Sequence, residues 1–135
     1  MTPDELARAC ADAMWADDHA SRGLGMALEF VAPGRSRLSM TVAQPMVNGL
    51  GMCHGGFIFT LADSAMAFAS NAHGDKALAQ HIAVTYIRPG RLGEVLVAEA
   101  EERLRAGRTG LYDVRVTVPR LPRPEPRPGV PGVCR

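Results

Sequence analysis

Aromatic residues are scarce, at 5% of 135 positions, which leaves too few flat faces to stack the bases of a nucleic acid. An excess of one charge sign is lacking too. The formal net charge of +1 provides neither a basic nucleic-acid footprint nor an acidic solvating tail. Cysteine is confined to Cys10, Cys53 and Cys134. Scattered and odd in number, these give no disulfide framework and no metal-ligand spacing, so a reducing cytoplasm is expected and a metal is not. No basic-then-apolar run opens the chain; Met1 to Glu5 carries Asp4 and Glu5, so no signal peptide is expected. The longest apolar stretch, Gly55 to Ala72, is interrupted by Gly56, Thr60, Asp63, Ser64, Ser70 and Asn71, which argues against a membrane span. What remains is one soluble domain, with a single core and no room for a separate cofactor domain.

The order of elements can be read from period and punctuation. Thr2-Pro3-Asp4-Glu5 is a helix start: Thr2 caps, Pro3 takes the first helical position and Glu5 reaches back. Leu6, Cys10, Ala13 and Met14 follow at helical spacing, predicting an amphipathic helix that ends near Asp17 with these residues inward. Met26 to Val31 reads as a strand. The Pro33-Gly34 turn signal follows, and then Leu38, Met40 and Val42 alternate with polar residues. The two runs predict a hairpin. Gln44 to Cys53 is loop-like. Gly55 to Ala72, apolar nearly all round, predicts a buried helix. Three strand-like runs come next: Ala79 to Ile87, Glu94 to Leu104 and Gly110 to Val118, with short antiparallel connections. The sum is an α+β chain in which an antiparallel sheet wraps one central helix.

From Pro119 the pattern changes. Pro122, Pro124, Pro126, Pro128 and Pro131 remove ladder donors and forbid a central strand. The sequence therefore divides into a folded domain over 1–118 and a proline-rich tail over 119–135, expected to be extended, exposed and disordered.

Chemistry concentrates at one loop-to-helix junction: Asn48-Gly49, His54-Gly55-Gly56, then Asp63. Glycines at a helix start leave backbone N–H groups approachable with the positive end of the dipole behind them, an arrangement that can hold a developing oxyanion. They also serve plain tight packing, His54 also serves as a polar residue at a helix entrance, and Asn48-Gly49 is also a turn. Asp63 carries the only charge on an apolar helix. Such a carboxylate is costly unless paired or wet, so it either faces a solvated seam or stands in a partly dry cleft as nucleophile or base. Gly55 and Asp63 are separated by about 12 Å along one helix axis. One carbonyl must lie about 3 Å from both groups, so the spacing favours a site shared by two antiparallel helices across a homodimer.

Val47-Asn48-Gly49, Cys53-His54-Gly55-Gly56, Leu61-Ala62-Asp63-Ser64-Ala65, Tyr86-Ile87-Arg88-Pro89-Gly90 and Thr109-Gly110-Leu111-Tyr112-Asp113 stand in an order that resembles the phenylacetic-acid-degradation thioesterases of the hotdog superfamily. The resemblance covers the chain up to Val118. It implies a hotdog fold and hydrolysis of an acyl-CoA thioester, typically phenylacetyl-CoA or a hydroxylated relative. It implies Asp63 as the catalytic carboxylate, the Gly55 N–H as the donor polarising the thioester carbonyl, Asn48 and His54 as orienting groups, and Ser64 as a supporting hydroxyl. No cofactor is implied beyond the CoA of the substrate, and the expected assembly is a dimer by edge pairing, often doubled to a tetramer.

Arg88, Arg105 and Arg108, at strand ends, are candidates for CoA phosphates. Leu50, Met52, Phe57, Met66 and Phe68 are candidates for the acyl end of the cleft. After Val118 the family continues into one more strand beside the run Ala79 to Ile87, and this sequence has the proline-rich tail there. That run is therefore expected to lose its ladder partner, weakening the monomer and its activity. Two rival readings are an enoyl-CoA hydratase or dehydratase on the same fold, with His54 as the partner base, and a non-catalytic acyl-CoA-binding module.

Overall fold

The computed structural model describes residues 1–119; the expectation of a disordered tail over 119–135 lies, from residue 120 on, outside this range. Helix α1 spans Pro3–Asp17 and starts on the capping box read from the sequence, with the Thr2 side chain accepting from the Glu5 N–H and Glu5 reaching back to the Thr2 N–H. Its inward face differs from the expected one. Ala7 and Ala11 are buried, while Leu6 and Ala13 are exposed. Small residues let α1 approach the body of the protein closely, an outcome that apolar period alone does not rank. A short helix α2, His19–Gly23, follows.

Strands β1 (Ala27–Ala32) and β2 (Arg35–Thr41) form the expected hairpin. Gly34 in its turn has φ +71°, a conformation that favours glycine, and a Cβ there would lie 3.0 Å from the Glu102 side chain. Strands β3 (Val95–Ala106) and β4 (Thr109–Thr117) complete an antiparallel sheet in the order β1-β2-β3-β4. Helix α3, Gly55–Ser70, packs against all four of these strands. Leu61, Ala65, Phe68 and Ala69 meet Leu38, Met40, Leu96 and Ala98 in one core. Alanines on both sides bring helix and sheet close enough for the buried Ser36 hydroxyl to donate to the Ala65 carbonyl. The opposite face of α3, with Phe59, Ala62, Asp63 and Met66, is only half-buried, so the helix is less enclosed than its composition implies.

One expected strand is corrected. The run Ala79 to Ile87 is exposed and makes no main-chain hydrogen bond to any described residue. A strand exists only by pairing, and among the described residues none lies in register with this run. No helix among the described residues is long and apolar enough to cross a membrane.

Gly34→Ala is expected to destabilise the fold by ~1–2 kcal/mol, the cost of a side chain at left-handed φ, with the Glu102 contact adding to it. Urea unfolding followed by circular dichroism checks this. An unchanged midpoint would show that the turn relaxes at no cost.

Candidate active site

The start of α3 is fixed by its loop. Asn48 folds the chain into a tight bend: its Oδ1 accepts from the Leu50 and Met52 N–H groups at 3.0 and 3.1 Å, and its own N–H donates to the Met52 carbonyl at 2.8 Å. Val47 and Cys53 close this bend as an isolated antiparallel bridge. His54 then caps α3, with Nδ1 accepting from the Gly56 N–H at 2.9 Å. With Nδ1 accepting, Nε2 is the ring's other nitrogen left for a further contact. The Phe57 N–H is taken by the His54 carbonyl at 3.0 Å. The Gly55 N–H has no hydrogen-bond partner among the described residues. It is thus the amide at the positive end of α3 left available to a ligand.

Gly55 opens on a shallow cavity of about 280 Å³, whose walls include Asn48, Met52, Ile58, Tyr86 and Arg88. The volume suits one end of an extended ligand rather than a large molecule entire. Asn48, Gly55 and Arg88 therefore come together, with His54 supporting them as the cap. Tyr86 was not singled out from the sequence as a site residue, although it stood in the motif that contains Arg88. Its hydroxyl donates to the Gly55 carbonyl at 2.8 Å.

Other candidates lie elsewhere within one chain. Phe57 packs against the core and meets the His54 ring edge-on at 6.2 Å between centroids. Phe68 is buried in the core and cannot line a cleft, and Leu50 is 80% exposed. Ser64 faces α2, where its Oγ lies 2.8 Å from the Ser21 Oγ, and Ser21 donates in turn to Asp18 at 2.7 Å. Since the Ser21 proton goes to the carboxylate, Ser64 is the donor to Ser21, and its hydroxyl is engaged there. Arg105 pairs with Asp75 at 3.0 Å. Asp75 lies just beyond the far end of α3, a helix about 24 Å long, so Arg105 is remote from Gly55 in the same chain. Arg108 sits exposed in the β3–β4 turn.

Asp63 is half-buried on the open face of α3, and its carboxylate has no hydrogen bond or ion pair among the described residues. Burial pushes its pKa up from the ordinary carboxylate value. A raised pKa with no compensating partner makes Asp63 a candidate for proton transfer or attack. A second titratable cluster contrasts with it. Glu102 accepts from Tyr112 and pairs with His73, both at 2.9 Å. Burial pushes the Glu102 carboxyl up, but these hydrogen bonds outweigh it and hold it below the usual range. The Tyr112 phenol is pushed up to about 12 by burial and by Glu102.

Residues 50–120 match the Thioesterase superfamily, and the chain belongs to that superfamily, whose class is thioester hydrolysis. Its sheet-wrapped helix is the hotdog fold. The particular resemblance is to the acyl-coenzyme A thioesterase PaaI of Escherichia coli K12, 38% identical over 106 residues that span 78% of this chain and 76% of the relative. The solved structure of E. coli PaaI, from the phenylacetic acid degradation operon, superposes with a TM-score of 0.85 at 35% identity, covering 87% of this chain and 85% of that one. A Streptococcus mutans UA159 protein solved bound to acetyl CoA matches at TM-score 0.65 and 29% identity, over 69% of this chain and 75% of that chain.

Because folding raises the Asp63 pKa, the ionised form destabilises the native state above that value, and the penalty vanishes below the unfolded value near ~3.9. Asp63→Asn is thus expected to raise the thermal midpoint at pH 7 to 8. The gain should disappear as pH falls below the ordinary carboxylate range. Calorimetric melts across pH check both halves, and equal stabilisation at pH 3 and pH 8 would contradict the sign.

Proposed function

We propose that this protein hydrolyses acyl-CoA thioesters to the free acid and CoA, with an aryl-acetyl-CoA such as phenylacetyl-CoA as its substrate. The observation that carries the reading is the unshared Gly55 N–H at the positive end of α3, opening on a cavity walled by Asn48 and Arg88. The thioester carbonyl oxygen accepts from that amide, which stabilises the oxyanion as the carbonyl carbon becomes tetrahedral. Asp63, ionised and poorly solvated, takes the proton of a water that attacks that carbon, or attacks it itself. Collapse of the intermediate breaks the C–S bond and expels CoA thiolate, which is protonated by Asp63 in the first course and by solvent in the second. Where Asp63 itself attacked, water then cleaves the Asp63–acyl anhydride, releasing the acid and restoring the carboxylate. The reaction needs no metal or prosthetic group, since the amide supplies the electrophilic assistance and the carboxylate supplies the base.

Gly55 and Asp63 stand about 12 Å apart on one helix, so the reading includes a second copy. The Asp63 of one protomer serves the carbonyl held at the Gly55 of its partner, in a homodimer or a dimer of dimers. The partnerless Asp63 on the half-buried face of α3 supports this arrangement. The hydratase alternative asks His54 to act as a base beside the carboxylate. Its Nδ1 is engaged in capping α3, which favours hydrolysis instead. Arg88 is the substrate-binding cation at the cavity; Arg105 and Arg108 reach a site only in an assembly.

Thiol release from phenylacetyl-CoA should be readily measured with the parent protein and fall at least ~100-fold in Asp63→Ala, the range of a lost acid–base group. Ellman-type colour with a circular dichroism control checks it. A folded Asp63→Ala that turns over normally would remove Asp63 from the mechanism. A parent that binds acyl-CoA without releasing thiol would turn the reading to a binding module.

A further inference from the structure

The run from Leu78 to Pro89 is exposed along its whole length and shares no main-chain hydrogen bond with any described residue. Its ends are clamped. Before it, the Asn71 side chain donates to the Ala77 carbonyl at 3.1 Å and accepts from the Ala77 N–H at 3.0 Å. After it, the Gly90 carbonyl accepts from the Cys53 N–H at 2.8 Å. Between these clamps, the one hydrogen bond to the described residues is from the Tyr86 hydroxyl to the Gly55 carbonyl, at 2.8 Å.

The tyrosine ring also rests on the Gly55 α-carbon. A Cβ at that position would meet Cζ and the phenol oxygen of Tyr86 at 3.1 and 3.2 Å, so any larger residue there would press on the tyrosine. Tyr86 is 53% exposed, and burial alone does not hold it; the hydrogen bond fixes its place. In extended chain, residues two apart point to the same side. Two residues after Tyr86 stands Arg88, on the wall of the cavity that Gly55 opens.

We propose that Tyr86 is a positioning residue for the substrate: its hydroxyl latches the segment that carries Arg88 to the start of α3. The latch sets the distance between the Arg88 guanidinium and the Gly55 amide, so that a CoA ester meets both at once. The proposal rests on the acyl-CoA reading above for its ligand. Tyr86 acts through Arg88 and the segment, without touching the reacting carbonyl. An arginine on an untethered run would lose side-chain and backbone freedom on binding, and affinity would fall by that cost.

The test pairs Tyr86→Phe with Arg88→Gln and their double variant, using titration calorimetry with CoA and thiol release from phenylacetyl-CoA. Phenylalanine keeps the ring on Gly55 and removes only the hydroxyl, so the fold is retained. Tyr86→Phe should weaken CoA binding and raise KM roughly fivefold, the factor one net hydrogen bond supplies, with the smaller part of the loss in kcat. The double variant should bind CoA no more weakly than Arg88→Gln alone, because the latch acts through that arginine. A Tyr86→Phe protein that binds CoA like the parent would overturn the proposal. So would losses that multiply in the double variant, or a parent that does not bind CoA. A parent that binds CoA with this pattern but releases no thiol would leave the latch standing and remove the hydrolase reading.

Discussion

Everything at the site depends on how the first turn of α3 is pinned from two sides. Cys53 donates to the Gly90 carbonyl at 2.8 Å and His54 to the Met46 carbonyl at 2.7 Å, so consecutive residues are tied to different parts of the chain. With the main chain held there, His54 can use its side chain for the Gly56 N–H. The Gly55 amide lies between two engaged residues with its own donor unshared. An amide fixed this way needs no reorganisation to meet a negative charge, which suits the role proposed for it. The same pinning delivers Gly90, and with it the run that carries Tyr86 and Arg88, to the edge of the cavity.

The polar groups of α3 show what is unusual about Asp63. Thr60 donates to the Gly56 carbonyl, Ser70 to the Ala67 carbonyl and Ser64 to Ser21. Each hydroxyl on the helix is satisfied, as partly buried polar groups ordinarily are. The single carboxylate is the exception, and its raised pKa records the lack of compensation. Glu102 shows what this chain does with a carboxylate whose role is structural: two hydrogen bonds, and a pKa held down against burial. Two carboxylates in one small fold are treated oppositely, one tied down by hydrogen bonds and one left without them, and the contrast supports the role proposed for Asp63.

Local rules carried much of this in the sequence. The Thr2–Glu5 box, the Pro33-Gly34 turn and the glycine pair after His54 each rest on contacts within a few residues, and each stands where it was read. So does the isolated charge of Asp63, which any hydropathy pattern exposes. What escaped depends on long-range partners. Ala7 and Ala11 displaced Leu6 as the inward residues of α1 because close approach, not hydrophobicity, decided the packing. Ser64 answers to Ser21, and Arg105 to Asp75, across gaps that no spacing rule spans. Ala79 to Ile87 has every local property of a strand and lacks a neighbour among the described residues; the proline-rich tail, not the run's own residues, gave reason to expect that.

That unpaired run bears directly on the site. Ladder hydrogen bonds normally hold a strand in register, and with it any side chain the strand presents. Here those bonds are missing among the described residues, yet the run forms one wall of the cavity. Its geometry then falls to side-chain contacts, each far weaker in sum than a ladder. Ile82 and Val84 are 37% and 44% exposed, so apolar burial contributes only part of what a central strand would gain. Precision at the cavity wall therefore rests on the two clamped ends and on the tyrosine between them. Strengthening the fold along this run and sharpening the site are, for this chain, the same physical problem.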